Sequence, residues 1–159
     1  MKKIELSKQG KNRGKFFALV DDESFKEVSK YRWNYVIMGY AESRLGSKKN
    51  KPIRMHIFLM NPPKGMFVDH INMNGLDNRK ENLRLATYQQ NNYNRRLNKN
   101  NKSGYKGVIW DKSVKKWRAY IRSGKMIYLG VFKTKLEAAK TYNEAAIKLF
   151  KEFAKLNKI

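Results

Sequence analysis

The sequence predicts an α+β protein of two small basic parts, and three observations lead there. Short apolar runs at 16–20, 33–37, 66–68 and 83–86 are separated by Gly, Asn and Lys breaks, the pattern of short strands and turns. Beyond residue 103, three β-type runs at 105–110, 116–122 and 126–132 are followed by one amphipathic helix. Between the two parts, residues 91–102 hold Asn, Lys and Arg with almost nothing apolar, a composition that builds no core of its own.

The elements follow in order. Residues 1–60 read as a β-rich segment with a short helix at 23–30, and 61–97 as a turn, a strand, a polar loop with Asn74-Gly75, a second strand and a helix. Thr87 with Gln90, and Thr134 with Glu137, have capping-box spacing for the two helices. Residues 98–103 form a basic Asn-rich linker, read either as a solvated tether or as an arm along a DNA groove, and 104–159 form the second part. There Leu136, Ala139, Ala146, Leu149 and Phe153 recur near the helical period and are expected to face the sheet. The other face of that sheet is expected to stay open.

Charge narrows the function. The 159 residues carry 36 Lys and Arg against 13 Asp and Glu, a net charge of +23. Residues 1–97 hold 20 basic and 9 acidic groups and residues 98–159 hold 16 and 4, so both parts are expected to touch a polyanion. A membrane-surface reading needs a long basic amphipathic helix or a lipidation motif, and neither is evident. No apolar run reaches the roughly 18 residues of a membrane span, and the start Met1-Lys2-Lys3-Ile4-Glu5 lacks a signal peptide's apolar stretch. An intracellular protein is expected, in the host cytoplasm if a phage encodes it. With no cysteine and two histidines, a thiol or histidine-built zinc site is excluded, so any metal is held mainly by oxygen.

The chemistry concentrates in Val68-Asp69-His70-Ile71-Asn72-Met73-Asn74-Gly75, Asp77-Asn78-Arg79-Lys80-Glu81-Asn82-Leu83-Arg84-Leu85-Ala86-Thr87 and Asn91. These residues resemble the HNH nuclease motif over about 30 residues. The subtype is that of homing endonucleases of phages and group I introns, in which Asn replaces the last His. The resemblance implies a ββα-metal fold, with Asp69 and Asn91 as metal ligands, His70 as the general base and Asn82 as the residue orienting hairpin and base. Such chemistry suits phosphodiester hydrolysis: imidazole titrates near neutrality and accepts a proton from water, while a hard cation compensates phosphate charge. Oxygen donors favour Mg²⁺, with Mn²⁺ as the alternative. Arg79, Arg84, Asn94, Arg95 and Arg96 are candidates for flanking phosphates. His56, in Met55-His56-Ile57, is read as packing or support for the site, or as a phosphate contact.

Tyr105-Lys106-Gly107-Val108, Lys116-Trp117-Arg118-Ala119-Tyr120-Ile121-Arg122, Tyr128-Leu129-Gly130-Val131-Phe132 and 137–146 resemble the Apetala/ethylene-response-factor DNA-binding domain of plants. In that family the open sheet face enters the major groove. Alternation along 116–122 puts Trp117, Ala119 and Ile121 on one side and Lys116, Arg118, Tyr120 and Arg122 on the other. By resemblance Lys106, Arg122 and Tyr128 reach DNA; Ile109 and Tyr128 depart from the plant pattern, so the plant target sequence does not carry over.

The expectation is a metal-dependent endonuclease of homing type on double-stranded DNA, monomeric, with nicking favoured over a double-strand break. A non-catalytic DNA-binding protein on a decayed nuclease scaffold is the alternative, opposed by the complete Asp69, His70, Asn82 and Asn91 set. An RNA-binding module lacks the aromatic platforms of the common RNA folds.

Overall fold

The computed structural model describes residues 1–7, 11 and 13–159. Its contacts divide the chain into two units, Met1–Tyr88 and Gln89–Ile159.

In the first unit, β1 (Lys2–Leu6) and β2 (Phe16–Val20) pair antiparallel, with Lys2 opposite Val20 and Leu6 opposite Phe16. Helix α1 (Asp22–Val28) follows, then a three-stranded sheet of β3 (Asn34–Val36), β4 (Tyr40–Ser43) and β5 (Ile53–Arg54). Helix α2 (Met55–Met60) starts directly after β5 and ends at Asn61, which takes a left-handed conformation at φ 39. The core comprises Ile4, Leu6, Ala18, Val20, Val28, Trp33, Ala41 and Met55. Trp33 is 1% exposed, and its indole N–H donates to the Val28 carbonyl at 2.8 Å, so the largest core side chain also closes its polar end. On this base sits a two-stranded antiparallel hairpin, β6 (Phe67–His70) with β7 (Leu83–Ala86).

The second unit contains most of helix α3 (Tyr88–Tyr93), then an antiparallel sheet in the order β10, β9, β8. These strands are β8 (Val108–Asp111), β9 (Lys116–Ser123) and β10 (Lys125–Phe132). Helix α4 (Lys135–Phe150) packs on one face, and its capping box has Thr134 Oγ1 accepting from Glu137 N–H at 3.2 Å, with the Glu137 carboxylate accepting from Thr134 N–H at 3.3 Å.

The helix stripe departs from expectation. Leu136 and Leu149 are 42% and 40% exposed, while Ala138, Ala139, Tyr142, Ala146 and Phe150 are buried. Alanines let the helix lie close to the sheet, which pushes the bulkier leucines to its flanks. The closeness is visible at Gly107, at φ +74, where a Cβ would stand 2.2 Å from the Tyr142 ring.

The end of the Asn-rich run is bonded to itself. Asn101 Nδ2 donates to the Tyr105 carbonyl at 3.0 Å, and Asn101 Oδ1 accepts from Ser103 Oγ and Gly104 N–H at 3.0 and 2.8 Å. Near the C-terminus, Asn157 Oδ1 accepts from Lys106 N–H at 2.6 Å while its Nδ2 donates to the Lys106 carbonyl at 3.1 Å, as a strand partner would.

Candidate active site and nucleic-acid face

Antiparallel register sets Asp69 opposite Arg84 and His70 opposite Leu83. Arg84 donates from Nε and Nη2 to Asp69 Oδ2 at 2.9 and 2.7 Å, so a residue expected on phosphate lies on the neighbouring carboxylate. His70 is 5% exposed at the end of its strand. Burial pushes its imidazole below the ordinary histidine range, while a bond to Asn78 and the Asp69 and Asp77 carboxylates act in the opposite direction.

The loop from 71 to 82 is fixed by its own polar side chains. Asn82, in a short 3₁₀ turn at Lys80–Asn82, donates from Nδ2 to the Asp77 carbonyl at 2.7 Å and accepts at Oδ1 from Asn72 N–H at 3.0 Å. Its carbonyl accepts from Ile71 N–H at 2.9 Å, so one residue ties both arms of the loop. Asp77 accepts from Arg79 Nε and Nη2, each at 2.7 Å, and from Asn72 Nδ2 at 2.8 Å. The Arg79 bonds hold the Asp77 carboxyl below the usual carboxylate range. Arg79 also pairs with Glu81, so its charge is already matched within the loop.

Residues 1–60 supply the outer brace. Leu19 N–H donates to the Leu76 carbonyl at 2.7 Å and Asn78 N–H donates to the Leu19 carbonyl at 2.8 Å, a parallel bridge between β2 and the loop. Asp21 Oδ2 accepts from Lys80 N–H at 2.7 Å. Gly75 lies where a Cβ would meet the Gly39 carbonyl at 2.4 Å and the Tyr40 ring at 2.6 Å, so only glycine fits this approach.

Two rings close on the histidine. His56 meets His70 edge to face at 4.7 Å between centroids, and Tyr40 packs on both at 5.2 and 5.8 Å. The Arg54 guanidinium sits 4.5 Å from the Tyr40 ring centroid. Burial, with His70 and Arg54 adding to it, lowers His56 to about 3, which leaves it neutral.

Asn91 lies in α3, half-buried, with Asn94 buried and Arg95 and Arg96 exposed beyond it. The C-terminal end of α3 is anchored within the second unit. Tyr93 stacks on Phe150 at 3.8 Å between centroids, and Lys106 Nζ donates to the carbonyls of Tyr93 and Arg95 at 2.5 and 3.1 Å. Lys106, expected at DNA, thus has its ammonium on a helix end, and burial lowers it to about 8.

On the sheet, Ala119 and Ile121 are buried beneath α4, as alternation predicts. The opposite face carries Arg118, Tyr120 and Arg122 on β9, with Tyr128 opposite Tyr120, Met126 opposite Arg122 and Ile109 opposite Arg118. Tyr128 is 59% exposed and Arg122 is exposed. Arg118 forms an ion pair with Asp111, its Cζ stands 5.9 Å from the Tyr128 ring centroid, and its Nε has no partner among the described residues.

With a histidine and an aspartate side by side on a clamped strand–loop–strand hairpin, the decisive comparison is with whole chains. An uncharacterized HNH endonuclease of Acanthamoeba polyphaga mimivirus is 35% identical over 156 residues, covering 94% of this chain and 79% of that protein. The chain belongs to the HNH endonucleases. The HNH endonuclease family model matches residues 59–93, which contain the hairpin and α3. Protein 3.8 of Escherichia phage T7 is 42% identical over 59 residues, 37% of this chain and 49% of that protein. No solved structure matches.

The protein is therefore a DNA endonuclease that hydrolyses phosphodiester bonds, of a family that generally uses a divalent metal. Among the described residues no group of three His, Cys, Asp or Glu side chains converges as a metal cluster. The donors indicated by the motif, the Asp69 carboxylate and the Asn91 carboxamide, are both oxygen donors and fit a hard cation that keeps several waters. No described helix is long and apolar enough to cross a membrane. The motif made His70 legible; it did not disclose Asn78, Asp77 or Tyr40, whose relation to His70 depends on loop packing.

Proposed function

We propose that this endonuclease is a homing-type enzyme that nicks a specific site in double-stranded DNA as a monomer, with His70 as the general base. The observation that carries it is the buried His70 beside Asp69 on a hairpin whose loop is tied on both arms by Asn82. His70 takes a proton from water, the water oxygen bonds to phosphorus, and the bond from phosphorus to the sugar oxygen breaks. Asp69 and Asn91 would hold Mg²⁺, or Mn²⁺, with Asp69 kept in place by Arg84. When bound, the cation compensates charge on the phosphate and on the leaving oxygen. Asn82 acts through the loop backbone instead of touching the reacting atoms.

Residues 104–159 are the targeting part, similar to the Apetala/ethylene-response-factor domain, with 98–103 as the basic connection. Arg118, Tyr120, Arg122 and Tyr128 form the reading face, Arg95 and Arg96 bind flanking phosphate, and Lys106 serves that face by fixing α3. The test is incubation with supercoiled plasmid and Mg²⁺, with and without chelator. Nicked circles that disappear with chelator are expected; plasmid left intact at every Mg²⁺ and Mn²⁺ concentration would overturn the reading.

A further inference from the structure

The nitrogen of His70 that faces Asn78 is Nε2, at 3.4 Å from Asn78 Oδ1. Asn78 is 1% exposed, one of the most buried polar side chains among the described residues, and its backbone is pinned by the Leu19 carbonyl at 2.8 Å. A nitrogen turned into this interior does not meet a DNA strand. If His70 is the base, its reacting nitrogen is then Nδ1, which must carry the lone pair. Neutral imidazole has one N–H, so Nε2 must hold it and its neighbour must be an acceptor. Asn78 Oδ1 is that acceptor.

A second feature is consistent with this role. Three buried side-chain nitrogens lack a hydrogen-bond partner among the described residues, and two of them, Asn78 Nδ2 and His56 Nδ1, belong to residues packed on His70. Buried polar atoms are seldom left unmatched where stability alone decides, and such exceptions concentrate at functional sites. His56 and Tyr40 wall the ring by packing, whereas Asn78 is the neighbour whose polar atom meets it at Nε2.

We infer that Asn78 is a positioning residue that fixes the His70 tautomer, holding the proton on Nε2 so that Nδ1 is the basic nitrogen. The role rests on the proposed use of His70 as base and assigns to Asn78 the orientation of the ring that the motif alone suggests for Asn82.

The 159-residue chain contains two histidines, so ¹⁵N-histidine labelling gives a spectrum of four ring nitrogens, and a His56→Phe sample assigns it. Long-range ¹H–¹⁵N correlation of the wild type is expected to show His70 protonated at Nε2 with an unprotonated Nδ1. A wild-type His70 protonated at Nδ1 overturns the inference without any variant needing to fold. Asn78→Leu is expected to mix the tautomers and lower kcat on plasmid by about 10²-fold with little change in KM, and Asn78→Asp, which restores an acceptor, to recover the Nε2–H tautomer and part of kcat. An unchanged tautomer in folded Asn78→Leu also overturns it. Because the tautomer is read without cleavage, wild-type protein that never nicks DNA would sink the nicking proposal by a separate measurement.

Discussion

Asp69 and Arg84 face each other across the β6–β7 hairpin, and Arg84 Nε and Nη2 both donate to the same carboxylate oxygen. The pair is largely desolvated, with side chains 8% and 14% exposed. Removing one partner of such a pair leaves a buried charge poorly compensated. Arg84→Met is expected to lower unfolding free energy by about 3 kcal/mol, measured by urea denaturation at neutral pH. A loss below about 0.5 kcal/mol would show that the pair behaves like an exposed surface bridge.

Replacing His70 separates chemistry from binding. Its imidazole is buried and carries no net charge in the neutral form, so His70→Ala is expected to leave DNA affinity within about twofold while cleavage falls by at least about 10²-fold. Parallel gel-shift and plasmid-nicking assays check both, and cleavage at the wild-type rate would remove His70 as the base.

How much of this was legible depends on whether a feature is periodic or contextual. The strands at 16–20, 83–86 and 116–122 announce themselves by apolar runs or alternation, and the α4 cap by Thr134 and Glu137. Helix α2 is six residues, too short for a helical period to emerge from Met55-His56-Ile57-Phe58-Leu59-Met60. Arg84 is visible in sequence as a charge but not as a partner: its position opposite Asp69 requires the hairpin register across a 12-residue loop, residues 71–82. Asn78 was equally hidden, because one Asn among many gains meaning only when Leu19 fixes its backbone and His70 lies beside its carboxamide.

His56 makes stability depend on pH. Its folded-state value of about 3 lies below the ordinary 6.5, so the unfolded chain takes up the proton first as pH falls. The penalty is absent above about pH 6.5 and grows between 6.5 and 3. The stability difference between wild type and His56→Phe should therefore move in favour of the variant on going from pH 7 to pH 5. Urea midpoints at the two pH values measure it, and a constant difference would contradict neutral burial of this ring.

The second unit gives a prediction about fragments. A chain starting at residue 103 loses the Tyr93 ring stacked on Phe150 and the carbonyls of Tyr93 and Arg95 that receive Lys106, whereas one starting at 89 keeps them. Each kcal/mol shifts the melting point of a small domain by about 4–8 °C. The 103–159 fragment is therefore expected to melt at least ~5 °C below 89–159 in thermal circular dichroism. Equal melting points would mean that α3 contributes nothing to this fold.

The open sheet face carries the last expectation. Arg122 is exposed opposite Met126, close to the Tyr120 and Tyr128 pair, so its guanidinium can approach DNA without breaking a core contact. A phosphate contact adds about 0.9 to the slope of log affinity against log salt, whereas a base contact changes which sequences bind well. Arg122→Gln is expected to weaken binding by about tenfold at moderate salt, and Lys140→Gln on the exposed side of α4 to change it by less than about twofold. Fluorescence anisotropy across a salt series checks both. A uniform loss with a shallower slope would assign Arg122 to the backbone, a loss confined to the preferred site would assign it to base reading, and equal effects of the two substitutions would leave only diffuse charge in place of a reading face.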